Sequence, residues 1–103
     1  MENYVILITT SNEQEAANIA KSLVENNIAR CVNIVSSIRS IYMWKGRLED
    51  ERETLLIVKA RKEDYAQLEK KVKELHSYEV PEIIAFPIVE GSKDYLDWLG
   101  GKN

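Results

Sequence analysis

Short, densely apolar runs alternate along the chain with longer stretches in which apolar residues recur every three or four positions. The run "YVILITT" (residues 4–10) is apolar and rich in β-branched residues, which predicts a strand. In "SNEQEAANIAKSLVENN", Ala16, Ile19, Ala20, Leu23 and Val24 fall on one helical face. Either Ser11 with Gln14 or Asn12 with Glu15 supplies a capping box at its start, and Asn26 and Asn27 offer a left-handed stop. "IARCVNIVSSIRSIYMW" and "TLLIVKA" read as strands joined through "KGRLEDERE", where Gly46 gives the backbone freedom for a hairpin turn. "RKEDYAQLEKKVKELHSY" spaces Tyr65, Leu68, Val72 and Leu75 as a second helical face. Glu69 and Lys73 form an outward i,i+4 pair there, and the start has no Ser or Thr cap. "PEIIAFPIV" predicts a last strand, at an edge or bent because of Pro87, and "SKDYLDWLGG" adds one or two helical turns.

The predicted order is βαββαβ, an α+β ferredoxin-like arrangement in which one antiparallel sheet carries both helices on a single face. A strand covered on one side alternates apolar and polar residues. Here residues 4–8 and 55–58 are apolar throughout, so the sheet presents apolar side chains on both faces. Exposed apolar patches larger than a few hundred Å² mark interfaces, which predicts a homo-oligomer. The alternative is a single chain whose C-terminal "YLDWLGG" folds over the open face.

The second strand points the same way. Residues 29–44, extended at about 3.3 Å each, would reach roughly 50 Å, against a radius of gyration of about 13 Å for a domain this size. Ser36 and Ser37 are the natural place for a bulge, beyond which Ile41, Tyr42, Met43 and Trp44 occupy a projecting hairpin arm that pairs with another copy.

Length and charge narrow the functional classes. The chain has 103 residues, 30% of them charged, and a net charge of −3. That is one domain, residues 1–103, with no electrostatic footprint for nucleic acid or anionic membrane. The N-terminal run lacks a basic flank and a cleavage site, and no run approaches the roughly 20 apolar residues of a membrane span. With a single cysteine, the expected compartment is the reducing cytoplasm.

No catalytic template is present: there is no G-x-S-x-G, P-loop, H-E-x-x-H or spaced-glycine dinucleotide fingerprint, so no enzyme is expected. Cys31 reads either as a small buried hydrophobe or as a thiolate ligand for a soft or borderline metal. His76, the only histidine, reads either as a helix terminator bonding the free carbonyls of the last turn or as an imidazole ligand. Tyr78, Glu79 and Glu82 follow closely enough to line a pocket. Lys59 closes the run "LLIVKA" and either emerges at the strand end or faces Glu82 or an anionic ligand. Glu49, Asp50, Glu51 and Glu53 read as a solvated turn.

Together "ARCVNI", "SIRSIYMWKGRLEDERETLLIVKA", "LHSYEVPEII" and "YLDWL" resemble the CutA family of divalent-cation tolerance proteins over nearly the whole chain. Two departures stand out: Ser77 where the family usually has proline, and no counterpart to a second cysteine found early in some members. The resemblance implies a homotrimer of ferredoxin-like subunits, similar in architecture to the PII signalling proteins, with clefts between neighbours. It implies binding of copper or another divalent metal and no organic cofactor. Cys31 and His76 are the implied metal ligands, and Trp44, Lys59, Tyr78 and Glu82 the implied cleft residues. A regulatory module that takes a small anionic ligand or a partner protein in that cleft is the competing expectation.

Overall fold

The computed structural model describes residues 2–101, so Met1, Lys102 and Asn103 of the expected domain lie outside the described residues. Its elements are β1 (Asn3–Thr10), α1 (Glu13–Glu25), β2 (Cys31–Trp44), β3 (Arg47–Arg61), a 3-10 turn (Lys62–Asp64), α2 (Tyr65–Leu75), β4 (Ile83–Pro87) and α3 (Lys93–Gly100). The sheet order is β2-β3-β1-β4 with every neighbouring pair antiparallel. This is the expected ferredoxin-like topology, in which β3 is inserted between β1 and β2, and β1 between β3 and β4. Pro87 ends the edge strand β4, where its missing N–H is tolerated.

Local chemistry fixes the ends of α1. Of the two possible starts the chain uses Asn12, whose Oδ1 accepts the Glu15 N–H at 2.8 Å. The Glu15 carboxylate reaches back to the Ser11 N–H, one residue before the cap, at 3.3 Å. At the other end Asn27 takes a left-handed φ of 58°, and the N–H groups of Ile28 and Ala29 both turn back to the Leu23 carbonyl. α2 has no side-chain cap and is entered through the 3-10 turn instead.

Ile6 and Ile8 of β1 and Leu56 and Val58 of β3 pack against Ile19 and Leu23 of α1 and Leu68 and Val72 of α2, and all eight are fully buried. Each such side chain contributes about 1.5–3 kcal/mol by leaving water. Val24 and Leu75, expected on the two helical faces, are instead exposed.

The opposite sheet face has no such cover. On it Val5, Leu7, Leu55 and Ile57 are half-buried, and Val35, Ile84 and Phe86 are 40%, 45% and 48% exposed. α3 buries Leu99 outside the main core. It packs beside Arg30, whose guanidinium lies 4.4 Å from the Trp98 ring and donates from Nε to the Trp98 carbonyl at 2.8 Å.

The β2–β3 ladder slips between Val35 and Ile38, where Ser37 adopts a φ of 61°, so the bulge falls at the expected serines. Beyond it the two strands continue as an arm closed by the Trp44–Arg47 pair. Lys45 (φ 50°) and Gly46 (φ 79°) are both left-handed, as a two-residue type I′ turn requires. The arm stretches the molecule to 45 × 25 × 22 Å and leaves Ile41, Met43 and Leu48 more than half exposed.

Candidate functional site

Cys31 and Lys59 are cross-strand neighbours on the uncovered face, near one end of the sheet. Asn33, two residues along on the same face, joins them: its Oδ1 accepts from Lys59 Nζ at 2.8 Å and lies 3.9 Å from Cys31 Sγ. The thiol is half-buried. Lys59 therefore neither faces Glu82 nor stands free at the strand end; a neighbouring strand supplies its partner.

His76 terminates α2 in an extended conformation, with its backbone N–H on the Val72 carbonyl. Its side chain does not bond its own helix. Nε2 lies 2.7 Å from the Thr9 carbonyl of β1, and Nδ1 accepts the Tyr78 N–H at 3.1 Å. This pair of bonds assigns the neutral tautomer that carries its proton on Nε2. The imidazole thus ties the end of α2 to the end of β1 and uses both nitrogens to do so.

The strand register separates the two expected metal ligands. Cys31 lies opposite Lys59, Lys59 opposite Val5, and His76 is bound at Thr9. Val5 and Thr9 are four residue steps apart on β1, about 13 Å along the strand. Within one chain Cys31 and His76 share no ion and form no nucleophile–base pair. Among the described residues no three His, Cys, Asp or Glu groups converge on a position that could hold a metal.

What the fold does assemble is a cavity of about 650 Å³ between the arm and the loop after α2. Thr9 forms its inner end, Ser40, Ile41, Tyr42 and Trp44 its arm wall, and Tyr78, Glu79, Val80 and Glu82 the opposite wall. Glu51 and Glu53 of β3 complete it. Tyr78 Oη donates to Glu53 Oε2 at 2.5 Å, and its ring lies 4.7 Å from that of His76. Burial, together with the Glu53 carboxylate, pushes the Tyr78 phenol far above its ordinary pKa. Tyr42 Oη donates to Glu51 Oε2 at 3.0 Å, and that bond raises its pKa in the same sense. At the rim Lys45 Nζ sits 3.8 Å from a Glu79 carboxylate oxygen and 5.7 Å from the Trp44 ring centre.

Trp44, Tyr78 and Glu82 of the expected cleft thus meet, whereas Lys59 and Cys31 lie outside and His76 borders the cavity through Tyr78. The acidic stretch read as a solvated turn is part of β3, and Glu53 is only 6% exposed. Its strand alternation sends Glu51 and Glu53 to the cavity and Asp50 to the other side, where both carboxylate oxygens meet Arg39, at 2.8 and 2.6 Å. The spacing of Glu49, Glu51 and Glu53 at steps of two was the signal that a strand face, not a turn, carries them.

Residues 4–102 match the family model of the CutA1 divalent ion tolerance protein. The chain belongs to this family. A curated relative, the divalent-cation tolerance protein CutA of Thermus thermophilus, is 50% identical over 95 residues, which cover 92% of each chain. A solved structure of the divalent cation tolerance protein CutA1 from Thermus thermophilus superposes with a TM-score of 0.93 at 49% identity, covering 95% of both chains. That of the periplasmic divalent cation tolerance protein CutA from Archaeoglobus fulgidus gives 0.90 at 44% identity, over 96% of this chain and 95% of the other. The CutA1 fold of these relatives extends over the arm and the cavity walls, since both lie inside the matched length. None of the described helices is long and apolar enough to cross a membrane.

Proposed function

We propose that the chain serves in divalent-cation tolerance as a cytoplasmic homotrimer that binds copper or another divalent ion at sites completed between copies, and that it is not an enzyme. The observation that carries this reading is the uncovered sheet face, where Val35, Ile84 and Phe86 stand exposed beside half-buried Val5, Leu7 and Ile57. Such a face is stable in water when another copy covers it. The same face carries Cys31 at one end and the Thr9–His76 tie near the other, so packing copies together supplies the second ligand that one chain withholds.

In the proposed site Cys31 of one copy and His76 of another hold the ion. His76 can join through Nδ1 by releasing only the Tyr78 N–H, one neutral hydrogen bond of about 1 kcal/mol, while Nε2–H keeps the Thr9 carbonyl. That is a modest loss against the affinity of a borderline ion such as copper for imidazole and thiolate. Trp44, Tyr78 and Glu82 wall the adjoining cleft, while Lys59 belongs with Cys31. The four carboxylates of the cavity and the position of Lys59 outside it weigh against the competing idea of an anionic ligand there. The single half-buried thiol suits a reducing compartment.

Sedimentation equilibrium combined with copper titration tests the proposal. The expected result is a trimer at micromolar concentration. Cys31→Ser and His76→Ala should each weaken copper binding about tenfold, equivalent to about 1.4 kcal/mol, while the trimer persists. A folded single chain at that concentration, or unchanged titrations for both variants, overturns it.

A further inference from the structure

The cavity beneath the arm has a composition that the divalent-ion reading does not use. Four carboxylates line it, those of Glu51, Glu53, Glu79 and Glu82, and among the described residues no lysine or arginine does. An inorganic cation needs oxygen ligands converging within about 2.0–2.6 Å, and no three acidic groups converge in that way among the described residues. The carboxylates are spread around a space of about 650 Å³, a volume suited to an organic molecule. Between them stand aromatic rings and the apolar side chains of Ile41 and Val80.

Glu51 and Glu53 each engage one oxygen with a tyrosine hydroxyl, leaving the other oxygen of each without a protein partner among the described residues. The chain itself supplies a second, independent clue to what the cavity accepts. The alkylammonium group of Lys45 already lies at the rim, 5.7 Å from the Trp44 ring centre and 3.8 Å from Glu79. That is cation–π distance together with an ion pair. Several separated negative charges, apolar walls between them and an ammonium group at the rim describe the complement of a flexible chain with several ammonium groups.

We propose that this cavity binds a linear aliphatic polyamine, its ammonium groups facing Glu51, Glu53 and Glu82 and its methylenes lying against Tyr42, Trp44 and Tyr78. The site is distinct from Cys31 and does not depend on the copper reading, so Cys31→Ser leaves it intact. Lys45 competes with the incoming amine for Glu79 and Trp44. Removing it therefore strengthens binding, an effect opposite in sign to that of removing any other charged residue named here.

Calorimetric titration of the intact protein, in its native assembly at low ionic strength, with spermidine as the probe tests this. The expected result is saturable binding that weakens at least tenfold in the double variant Glu51→Gln/Glu82→Gln and tightens two- to threefold in Lys45→Ala. Neutral 1,8-octanediol should give no saturable heat, and magnesium should displace spermidine only at much higher concentration. All three substituted side chains are exposed, so circular dichroism and sedimentation should confirm an unchanged fold and assembly. No heat with spermidine up to about 10 mM, the weak end of measurable affinity, would overturn the proposal. So would equal binding of the diol, equal displacement by magnesium, or indifference to the double variant.

Discussion

From Thr54 to Ala60, β3 buries every second side chain under α1 and α2; from Arg47 to Arg52, the same strand leaves five of six residues exposed. Both halves pair with the same neighbour, β2, through one antiparallel ladder broken only by the bulge at Ser36 and Ser37. The inner half also pairs with β1, from Thr54 to Arg61, whereas the outer half has β2 alone, so the two differ in backbone bonding as well as in what covers their side chains. The inner half is held by apolar burial beneath two helices. The outer half lacks that cover, and its side chains are committed to ion pairs, tyrosine–carboxylate bonds and the cavity wall. Stability and recognition are divided along a single strand, at the point where the helices stop.

The sharpest way to break this comparison is to make the same substitution in each half. Leu56→Ala opens a void in the fully buried core and should lower stability by about 2–5 kcal/mol. Leu48→Ala, at 70% exposure, should change it by no more than about 0.5 kcal/mol. Urea denaturation of both variants measures the gap. A loss for Leu48→Ala that shrinks on dilution of the protein would place that residue in a contact between copies.

A smaller effect tests the boundary between the halves, where two tyrosines bond two glutamates. Tyr78→Phe deprives the buried Glu53 carboxylate of its donor and should cost about 1–3 kcal/mol. Tyr42→Phe removes a comparable bond to an exposed Glu51, where water takes over, and should shift stability by no more than about 0.5 kcal/mol. Equal losses in thermal or chemical unfolding would mean that the arm is covered as well as the core is.

The fold was legible wherever the physics is local. Apolar runs gave the strands, spacings of three and four gave the helices, and two small serines and a Lys-Gly pair gave the bulge and the turn. Even there, two capping boxes one residue apart could not be ranked, because the choice depends on where β1 releases the chain. The site was less legible because its bonds span the sequence. His76 reaches Thr9, 67 positions away, and Tyr78 reaches Glu53, 25 away. Lys59 reads from the sequence either as emerging at the strand end or as facing Glu82 or an anionic ligand, but strand register hands it Asn33 instead. Glu51 and Glu53 read as solvated charge on composition, although their alternation already encodes a strand face.

The finest test concerns Ser77, which directly follows the helix-ending His76. Its N–H donates to Glu15 Oε2 at 2.8 Å, a bond that proline cannot make. His76, just before it, already has the extended conformation (φ −84°, ψ 140°) that precedes proline. Ser77→Pro therefore sets the loss of one exposed hydrogen bond against a stiffer unfolded chain, a gain of about 0.4–1 kcal/mol. The net change near neutral pH should stay within about 1 kcal/mol. Acid separates the two contributions. Burial alone would raise the Glu15 pKa, but the bonds from Ser77 and Ser11 outweigh it and hold the carboxyl below its ordinary 4.5. The unfolded state consequently binds more protons in that window, so the Glu15 contribution is fully present above pH 4.5 and is lost as the pH falls through the lowered value. Without the Ser77 donor the depression is smaller, so Ser77→Pro should flatten the acid limb of the stability–pH curve, and Glu15→Gln should remove that part of it. An acid limb identical to that of the parent protein in both variants would show that the carboxylate does not link the start of α1 to the end of α2.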